Sequence, residues 1–515
     1  MATVETLVER SPTVDEGVGS RPPTRAPLAR LAVFGIAAGF LVLELAVSGR
    51  YGFHRDELYF LACAHHLAWG YVDQPPLVPA LAWLSVHAFG TSPESIRVLP
   101  GLAGAGAVVV TALMARELGG GRRAQVLAAL AAATMPQLLA ACHLLSTAAF
   151  DQLFWSLACY ATLRILRSPA AAPWWIVLGA TVGIGLLNKW NIAFLALALV
   201  VGLLAGGRSR DFATPWPWVA AGIAIAVWLP NLIWNAQHEW AEVAMTRSLH
   251  QENGGLGAVL GFIPSQFVVA GPVLIVLWVA GLRWLLREPR WRALGVAYLV
   301  LLAFFTLTGA KSYYLAGMYF VLFAAGGVWA ERRLLAHRPP KGVRGWVVLM
   351  LSGLIGLPLA LPVLPETALP QSSWEGSINK DLSATVGWPQ LVGQVARVAD
   401  RLPAQERARL VIFTGDYGAA GAIDLWGHEY GLPGAISGHN NYWWWGHASA
   451  PDNSTTIAVN VPASYLRTMF SSVRAAGTVQ TPHNIWSEER GDPIWICTGQ
   501  KTPWSSAWTS IRHYD

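Results

Sequence analysis

The sequence predicts an all-α polytopic membrane protein, with about eleven transmembrane helices, followed by a small C-terminal α/β domain. Hydrophobic residues make up 54% of the 515-residue chain, and the mean hydropathy is +0.41. Charged residues make up only 13%, against about 25% in soluble proteins. Apolar runs that could span a bilayer recur as far as Leu364, whereas the chain from Pro365 onward is more polar.

Eleven apolar runs are candidate spans: 31–48, 96–116, 124–144, 148–166, 174–187, 192–206, 216–234, 262–285, 294–308, 313–330 and 346–364. The fifth and sixth runs are short and could form one helix. Keeping them separate gathers Lys and Arg in alternate loops, which places the N-terminus in the cytoplasm and the C-terminus outside the plasma membrane. The Lys and Arg residues behind the net charge of +6 therefore lie in the loops between the spans, and the charge does not indicate nucleic-acid binding.

Composition divides the chain into three parts. Residues 1–27 are predicted to be a disordered cytoplasmic tail, residues 28–364 the transmembrane domain with its first outer loop at 50–95, and residues 365–515 an extracytoplasmic domain. In the last part, short apolar segments alternate with helical patterns, as in an α/β domain. The predicted strands are 410–413, 456–461 and 494–497, and the predicted helices are 391–402 and 419–429.

The first outer loop carries several acids beside the membrane. Residues 55–69 have the apolar spacing of an amphipathic helix lying on the membrane surface, with Asp56 and Glu57 in its first turn, and Asp73 follows. Acids suit the start of any solvated helix. The residues alone therefore leave two interpretations open: an ordinary helix start, or a carboxylate that orients or deprotonates an acceptor group.

Further charged residues are predicted at the same face. Asp151 opens the fourth span, Lys189 separates the fifth and sixth, and Lys311 precedes Tyr313 and Tyr314. Acids at membrane depth are commonly functional, although lysines at span ends can simply extend to the headgroups. Acids and lysines at one leaflet suit a phosphate-bearing amphiphile, because lysine binds phosphate as a point charge.

The outer loop after the seventh span contains His238 and Glu239. These two side chains are candidate metal ligands. Two donors without a regular ligand spacing are weak evidence for a metal, and an ordinary polar loop fits them better.

The ordered set of these motifs resembles a known family. The pair Asp56-Glu57, the turn Asp73-Gln74-Pro75-Pro76-Leu77, Asp151 at the fourth span and the segment Lys311-Ser312-Tyr313-Tyr314-Leu315 look like those of the GT-C membrane glycosyltransferases. The branch they resemble is the one shared by protein O-mannosyltransferases and the lipid A aminoarabinose transferase. The stretches 415–421 and 436–443 are similar to the extracytoplasmic domain of bacterial members.

The resemblance implies that residues 28–364 are a catalytic GT-C domain. Such an enzyme moves a sugar from a polyprenyl-phosphate-linked donor to a lipid, protein or cell-envelope glycan at the outer face. Asp56, Asp151 and Glu57 would then be the catalytic acids. The substrate-binding candidates are Lys189, Lys311, Tyr313, Tyr314, Asp73 and Arg55. Mg²⁺ or Mn²⁺ is the cofactor to consider, with His238 and Glu239 as ligands, and no nucleotide cofactor is expected.

The sequence departs from the family pattern at two places. The aminoarabinose transferase pattern has Glu-Lys where this chain has Asp73-Gln74, so Lys189 or Lys311 would have to supply the missing phosphate contact. The family's loop histidine has no secure counterpart, and His238 is the nearest candidate.

A transporter or a lipid-linked sugar flippase is the alternative function. Such proteins carry polar residues at mid-membrane, broken helices and inverted repeats. Here the polar residues gather at the outer ends of the predicted spans, and no repeat is visible in the sequence. This placement favours a transferase.

Overall fold

The computed structural model of the chain describes residues 25–168, 171–253, 255–335, 340–376 and 380–514. Most of the predicted tail, residues 1–24, lies outside this range. The α-helices of the membrane part are α1 Arg30–Val47, α2 Arg55–His65, α3 Leu77–Phe89, α4 Pro93–Glu117, α5 Arg122–Ala133, α6 Pro136–Cys142, α7 Thr147–Arg167, α8 Ala172–Leu186, α9 Ile192–Ala205, α10 Trp216–Gln237, α11 Ala241–Asn253, α12 Leu256–Ala270, α13 Ile275–Arg287, α14 Arg292–Thr308, α15 Tyr319–Ala330, α16 Pro340–Ser352 and α17 Leu357–Ala360.

The chain is a multi-pass membrane protein, as the sequence predicts. Within the described residues, four helical segments are long and apolar enough to span a bilayer: α1, α4, α10 and Ser312–Arg333. The number rises to six if two bent pairs, α5 with α6 and α11 with α12, each count as one span. Several shorter apolar helices accompany them, including α8, α9 and α14. The number of eleven spans remains a prediction.

Three predicted spans contain breaks that the hydropathy pattern does not show. Run 124–144 bends by 56° between α5 and α6, where Pro136 starts the second helix. Run 262–285 divides at Gly271, which has φ +95°, and Pro272. Proline cannot donate a backbone hydrogen bond, and glycine adopts positive φ without strain, so this pair ends α12. Run 313–330 begins as the 3₁₀-helix Ser312–Met318.

Helix α2 is shorter and more enclosed than the predicted surface helix. It ends at His65, and residues from Glu57 to Ala64 are buried. It packs on α3 and also on a helix of the C-terminal domain. Gly421 permits this approach, because a Cβ there would lie 3.0 Å from the Leu58 carbonyl group. The helix therefore joins the two parts of the molecule.

The C-terminal domain contains the predicted α/β structure. Its helices are α18 Ser373–Gly376, α19 Lys380–Ser383, α20 Trp388–Ala399, α21 Ala404–Arg407, α22 Tyr417–Trp426, α23 Asn440–Trp445, α24 Ala463–Met469 and α25 Trp504–Ala507. Its strands, within the described residues, are β1 Val411–Thr414, β2 Ala435–Ser437, β3 Thr456–Val459, β4 Phe470–Thr478 and β5 Pro493–Gln500. They form one sheet in the order β2-β1-β3-β5-β4.

The three predicted strands correspond to β1, β3 and β5, and the two predicted helices to α20 and α22. Strands β2, β1 and β3 are parallel, whereas β5 runs antiparallel to β3 and β4. The sequence missed β2, which has three residues, and β4, which lies at the sheet edge with mostly exposed side chains. An exposed edge strand lacks the apolar run by which buried strands are recognised.

Candidate active site

The N-terminus of α2 directs its two acids to opposite environments. His54 caps the helix: its Nδ1 atom accepts a hydrogen bond from the Asp56 backbone N–H at 3.1 Å. The Glu57 carboxylate completes the cap by accepting from the His54 backbone N–H at 2.8 Å. Successive helical residues point about 100° apart. With Glu57 turned inward, Asp56 faces outward.

Glu57 is fully buried and is held by the membrane helices. It accepts hydrogen bonds from Arg97 Nε at 2.9 Å and Arg97 Nη2 at 2.6 Å, and from the backbone N–H of Leu145 at 2.9 Å. With the bond from His54, both carboxylate oxygens are engaged. The prediction of Glu57 as a catalytic acid is therefore corrected: its carboxylate positions α2 and does not face a substrate.

Asp56 is partly exposed and meets the C-terminal domain. The Tyr417 hydroxyl, at the start of α22, donates a hydrogen bond to Asp56 Oδ1 at 2.8 Å. Burial acts to raise the pKa of Asp56, but the electrostatic effects of His54 and Arg55, the Tyr417 hydrogen bond and the charge of Lys311 together lower the pKa below its usual value. Asp56 is therefore an ionised carboxylate at neutral pH.

Asp73 lies near Asp56, but its pKa is displaced in the opposite direction. Tyr59 donates a hydrogen bond to Asp73 Oδ1 at 2.9 Å. Burial, together with the nearby negative charge of Asp56, raises the pKa of Asp73 to about 6 despite that hydrogen bond. Two neighbouring carboxyl groups with pKa values displaced in opposite directions are typical of sites that handle protons.

The predicted lysine and tyrosine candidates come together at the break between α8 and α9. Lys189 Nζ lies 4.8 Å from the ring centroid of Tyr313 and 4.7 Å from that of Tyr314. These cation–π contacts hold the ammonium group at the protein surface instead of letting it extend to the headgroups. Lys311 is exposed, and its charge acts on both Asp56 and Tyr313. The lysines and Asp56 therefore share one region.

Asp151 lies beside this lysine–tyrosine cluster, at the start of α7. Asn191 donates hydrogen bonds to Asp151 Oδ2 at 3.1 Å and to the Tyr314 carbonyl at 3.3 Å. Asp151 Oδ1 has no hydrogen-bond partner among the described residues. A buried carboxylate oxygen without a donor is costly, and a bound ligand could supply the missing hydrogen bond.

Arg55 has a protein partner that the sequence did not indicate. Its Nη1 donates to Glu488 Oε2 at 2.6 Å, and its guanidinium lies 5.5 Å from the Tyr417 ring centroid. Arg55 was predicted to bind substrate. That role stays a prediction; the structure shows that Arg55 also links α2 to the C-terminal domain, with its Nε 3.9 Å from Asp56 Oδ1.

The predicted metal ligands His238 and Glu239 are not arranged to share a metal. The His238 ring stacks on Trp234, with centroids 3.9 Å apart, and its Nδ1 lies 2.8 Å from the Trp234 carbonyl oxygen. Glu239 pairs with Arg512 at 2.9 Å. The described residues contain no cluster of three or more His, Cys, Asp or Glu side chains placed to hold a metal. The assignment of these two residues as ligands is therefore not supported.

Part of the chain matches a known family model, and its fold matches that of a solved structure. Residues 73–234 match the family model described as dolichyl-phosphate-mannose-protein mannosyltransferase. ArnT from Cupriavidus metallidurans superposes with a TM-score of 0.61 at 14% identity, over 91% of this chain and 97% of that one. The same protein bound to undecaprenyl phosphate gives a TM-score of 0.60 at 15% identity, over 92% of this chain and 98% of that one. The chain has the GT-C fold.

Two curated relatives match part of the chain. The lipopolysaccharide core galacturonosyltransferase RgtB of Rhizobium johnstonii is 26% identical over 206 residues, which is 39% of this chain. The lipid A galacturonosyltransferase RgtD of the same organism is 30% identical over 212 residues, 38% of this chain. Each match covers 42% of the relative's length. The resemblance to GT-C glycosyltransferases, inferred from the sequence motifs, is confirmed.

Sequence reasoning missed the site residues that the C-terminal domain contributes. Tyr417 and Glu488 reach α2 from more than 300 positions away in the chain. Tyr417 lies inside the stretch 415–421 that resembles bacterial GT-C proteins. The sequence therefore indicated this stretch but not that Tyr417 contacts Asp56. Asn191, which positions Asp151, lies two residues after Lys189. It was missed because the site candidates at span ends were sought among charged residues, and Asn191 is uncharged.

We expect Glu57→Gln to destabilise the protein strongly. It removes the charge that pairs with Arg97 while leaving the guanidinium buried, and breaking such a pair costs about 3–5 kcal/mol. Thermal unfolding of purified protein in detergent measures the effect. The matched control is Glu488→Gln, which neutralises an exposed partner of Arg55, where ion pairs contribute at most about 1 kcal/mol. Equal unfolding temperatures for the two variants would contradict the structural role of Glu57.

Proposed function

We propose that this chain is a glycosyltransferase that moves a sugar from a polyprenyl-phosphate-linked donor to an acceptor at the outer face of the membrane. The observation that carries the proposal is the placement of an ionised Asp56 in the same region as Lys189 and Lys311. The GT-C fold supports it, as do the galacturonosyltransferase activities named for RgtB and RgtD and the polyprenyl phosphate bound by ArnT.

The donor occupies the lysine–tyrosine side of the site in this proposal. The bond between the anomeric carbon and the phosphate oxygen breaks, so negative charge develops on the departing polyprenyl phosphate. Lys189 and Lys311 stabilise this charge, and fixed cations aimed at developing charge are an effective source of catalysis. Tyr313 and Tyr314 keep Lys189 in place. Mg²⁺ or Mn²⁺ held by the donor's phosphate would add positive charge. Such an ion would not require a dedicated cluster of protein ligands, because Mg²⁺ commonly needs only one or two protein carboxylates.

The acceptor approaches Asp56. Its hydroxyl or amine attacks the anomeric carbon, a new carbon–oxygen or carbon–nitrogen bond forms, and Asp56 orients the acceptor or takes its proton. Asp151 supports the donor side through Asn191. The acceptors named for RgtB and RgtD, lipopolysaccharide core and lipid A, favour an envelope glycolipid among the lipid, protein and glycan classes.

A transporter or flippase would move the lipid-linked sugar without breaking it. Incubation with a radiolabelled polyprenyl-phosphate sugar in detergent micelles separates the two functions. A transferase releases free polyprenyl phosphate when acceptor is added. Recovery of intact donor only, with an envelope lipid extract as acceptor, would refute the transferase proposal.

We expect Asp56→Asn to be folded and nearly inactive. The substitution keeps the side-chain shape but removes the charge that orients or deprotonates the acceptor, and loss of a general base costs on the order of 100-fold or more in turnover. The measurement is transfer from a polyprenyl-phosphate sugar, with protein amount in the membrane determined by immunoblot. Transfer at the wild-type rate would remove Asp56 from the mechanism.

Tyr417→Phe is the matched control for Asp56→Asn, because it leaves the Asp56 carboxylate in place and changes only its pKa. It keeps the carboxylate but removes a hydrogen bond that lowers the pKa of Asp56, so that pKa rises. A base is active when ionised, and activity is lost as the pH falls through its pKa. The acidic limb of the pH–rate profile should therefore move to higher pH, with the rate near pH 8 little changed. An unmoved acidic limb would show that Tyr417 does not act on Asp56.

We expect Lys189→Ala and Lys311→Ala each to weaken donor binding. A charge-assisted contact to phosphate contributes about 1.5–3 kcal/mol, which corresponds to a rise in the donor KM of about tenfold or more, with a smaller change in the acceptor KM. The control is Lys501→Ala, because Lys501 is an exposed residue of the C-terminal domain whose ammonium group donates to the Arg467 carbonyl. Unchanged donor KM in both lysine variants would refute the phosphate site.

The proposed orientation follows from the distribution of Lys and Arg among the loops, which places the N-terminus in the cytoplasm and the C-terminal domain outside. A reporter that is active only outside the cytoplasm, fused after Asp515, should be active. A reporter that is active only inside, fused at the same position, should be silent. The reverse result would place Asp56 at the cytoplasmic face and overturn the proposed orientation.

A further inference from the structure

A polar cavity lies at the opposite end of the helices that build the candidate active site. Asp151 lies near the start of α7, which ends at Arg167, about 24 Å from Asp151 at 1.5 Å per residue. Helices α8 and α9 meet at Lys189, and their other ends lie at Ala172 and Ala205. The cavity, of about 490 Å³, is formed where α7 ends and where α8 and α10 begin.

Among the described residues that line this cavity, the charged ones are mostly basic. They include three arginines, Arg167, Arg208 and Arg290, and one carboxylate, Asp211. Ser168 and Thr214 are also among the lining residues. Hydrogen-bond donors and excess positive charge are the lining that a phosphate group requires.

The arginines are fixed at the rim by their contacts with the protein. Arg290 Nη2 donates to the Arg167 carbonyl at 2.8 Å, and Arg167 Nη1 donates to the Glu117 carbonyl at 2.6 Å. Arg208 is held by Asp211, with its Nη2 2.9 Å from Asp211 Oδ2. These bonds fix the position of each guanidinium before any ligand arrives, so little side-chain entropy remains to be lost on binding.

Two helix N-termini add to the positive potential. Ala171 and Ala172 at the start of α8 and Trp216 at the start of α10 line the cavity. The helix dipole favours negative charge at each N-terminus, while Pro173 in α8 and Pro217 in α10 remove one N–H donor from each first turn. The two dipoles act in the same direction as the arginine charges.

Exposed apolar side chains lie beside the cavity. Trp216 on its rim is 38% exposed, and its neighbours Trp218 and Val219 are 66% and 38% exposed. Ile176, one turn into α8, is also exposed. Exposed apolar side chains on a membrane helix face acyl chains, and tryptophan concentrates at the height of the headgroups. A ligand in this cavity would therefore have its charged group beside the arginines and its chains along α8 and α10.

We propose that this cavity binds the phosphate headgroup of an anionic phospholipid, in the leaflet opposite the candidate active site. Basic pockets between membrane helices are suited to such headgroups. Free phosphate shares the charge but lacks the acyl chains that the exposed face would cover. The inference does not depend on the proposed transferase activity, because it rests on residues at the other end of α7, α8 and α10.

The test is thermal unfolding of the purified full-length chain in detergent, titrated with phosphatidylglycerol or with phosphatidylethanolamine. We expect a larger rise in unfolding temperature with phosphatidylglycerol. Arg208→Gln should raise its half-saturating concentration about tenfold, since one charge-assisted contact is lost. Arg210→Gln is the matched control, because Arg210 is two residues away and does not line the cavity; it should behave as wild type.

Asp211→Asn separates loss of the Arg208–Asp211 ion pair from loss of a lipid contact. It removes the same ion pair but leaves Arg208 free to meet phosphate, so the half-saturating concentration of phosphatidylglycerol should fall or stay unchanged. Equal stabilisation by the two phospholipids, or equal weakening by Arg208→Gln and Arg210→Gln, would overturn the proposal. Full stabilisation by inorganic phosphate without phosphatidylglycerol would assign the site to a free anion instead.

Discussion

Buried Glu57 fixes the first outer helix, and the position of the candidate site depends on it. Two of its hydrogen bonds come from Arg97 in α4. Arg97 also donates to the carbonyls of Ser48 and Gly52, at the end of α1 and the start of the outer loop. One guanidinium thus joins α1, α4 and α2. A buried charge pair is tolerable only when its remaining polar atoms are also satisfied, and here they are, so α2 has one orientation and Asp56 one direction.

The C-terminal domain contributes a side chain, Tyr417, to the candidate site. Tyr417 approaches Asp56 at the start of α22, and the Tyr417 and Tyr59 rings lie 4.8 Å apart. This closeness requires small residues: a Cβ at Gly418 would overlap the Arg55 side chain, and one at Gly421 would crowd Leu58. The pKa of Asp56 therefore depends in part on a domain that is distant in sequence, and movement of that domain would alter the hydrogen bond and, with it, the pKa of the carboxyl group.

Much of the fold follows from local sequence. Membrane helices are recognised by apolar length, so the positions of α1, α4, α7 and α10 agree closely with the predicted runs. Buried strands β1 and β3 were recognisable for the same reason. Breaks were harder to foresee: Pro136 and the Gly271–Pro272 pair interrupt runs that remain apolar throughout. Hydropathy measures the preference for lipid and carries no information about the direction of the backbone, so helix bends and the exposed strand β4 were not predicted.

For the site, the sequence by itself determined which charged residues lie near span ends, because ionisable groups are costly elsewhere in a membrane protein. Asp56, Asp151, Lys189 and Lys311 were found in this way. Only the tertiary structure decided their roles. Asp56 and Glu57 are adjacent and chemically alike, yet one meets Tyr417 and the other Arg97. These partners come from distant segments, and neither composition nor spacing records which segments meet in space, because packing across the whole chain sets those contacts.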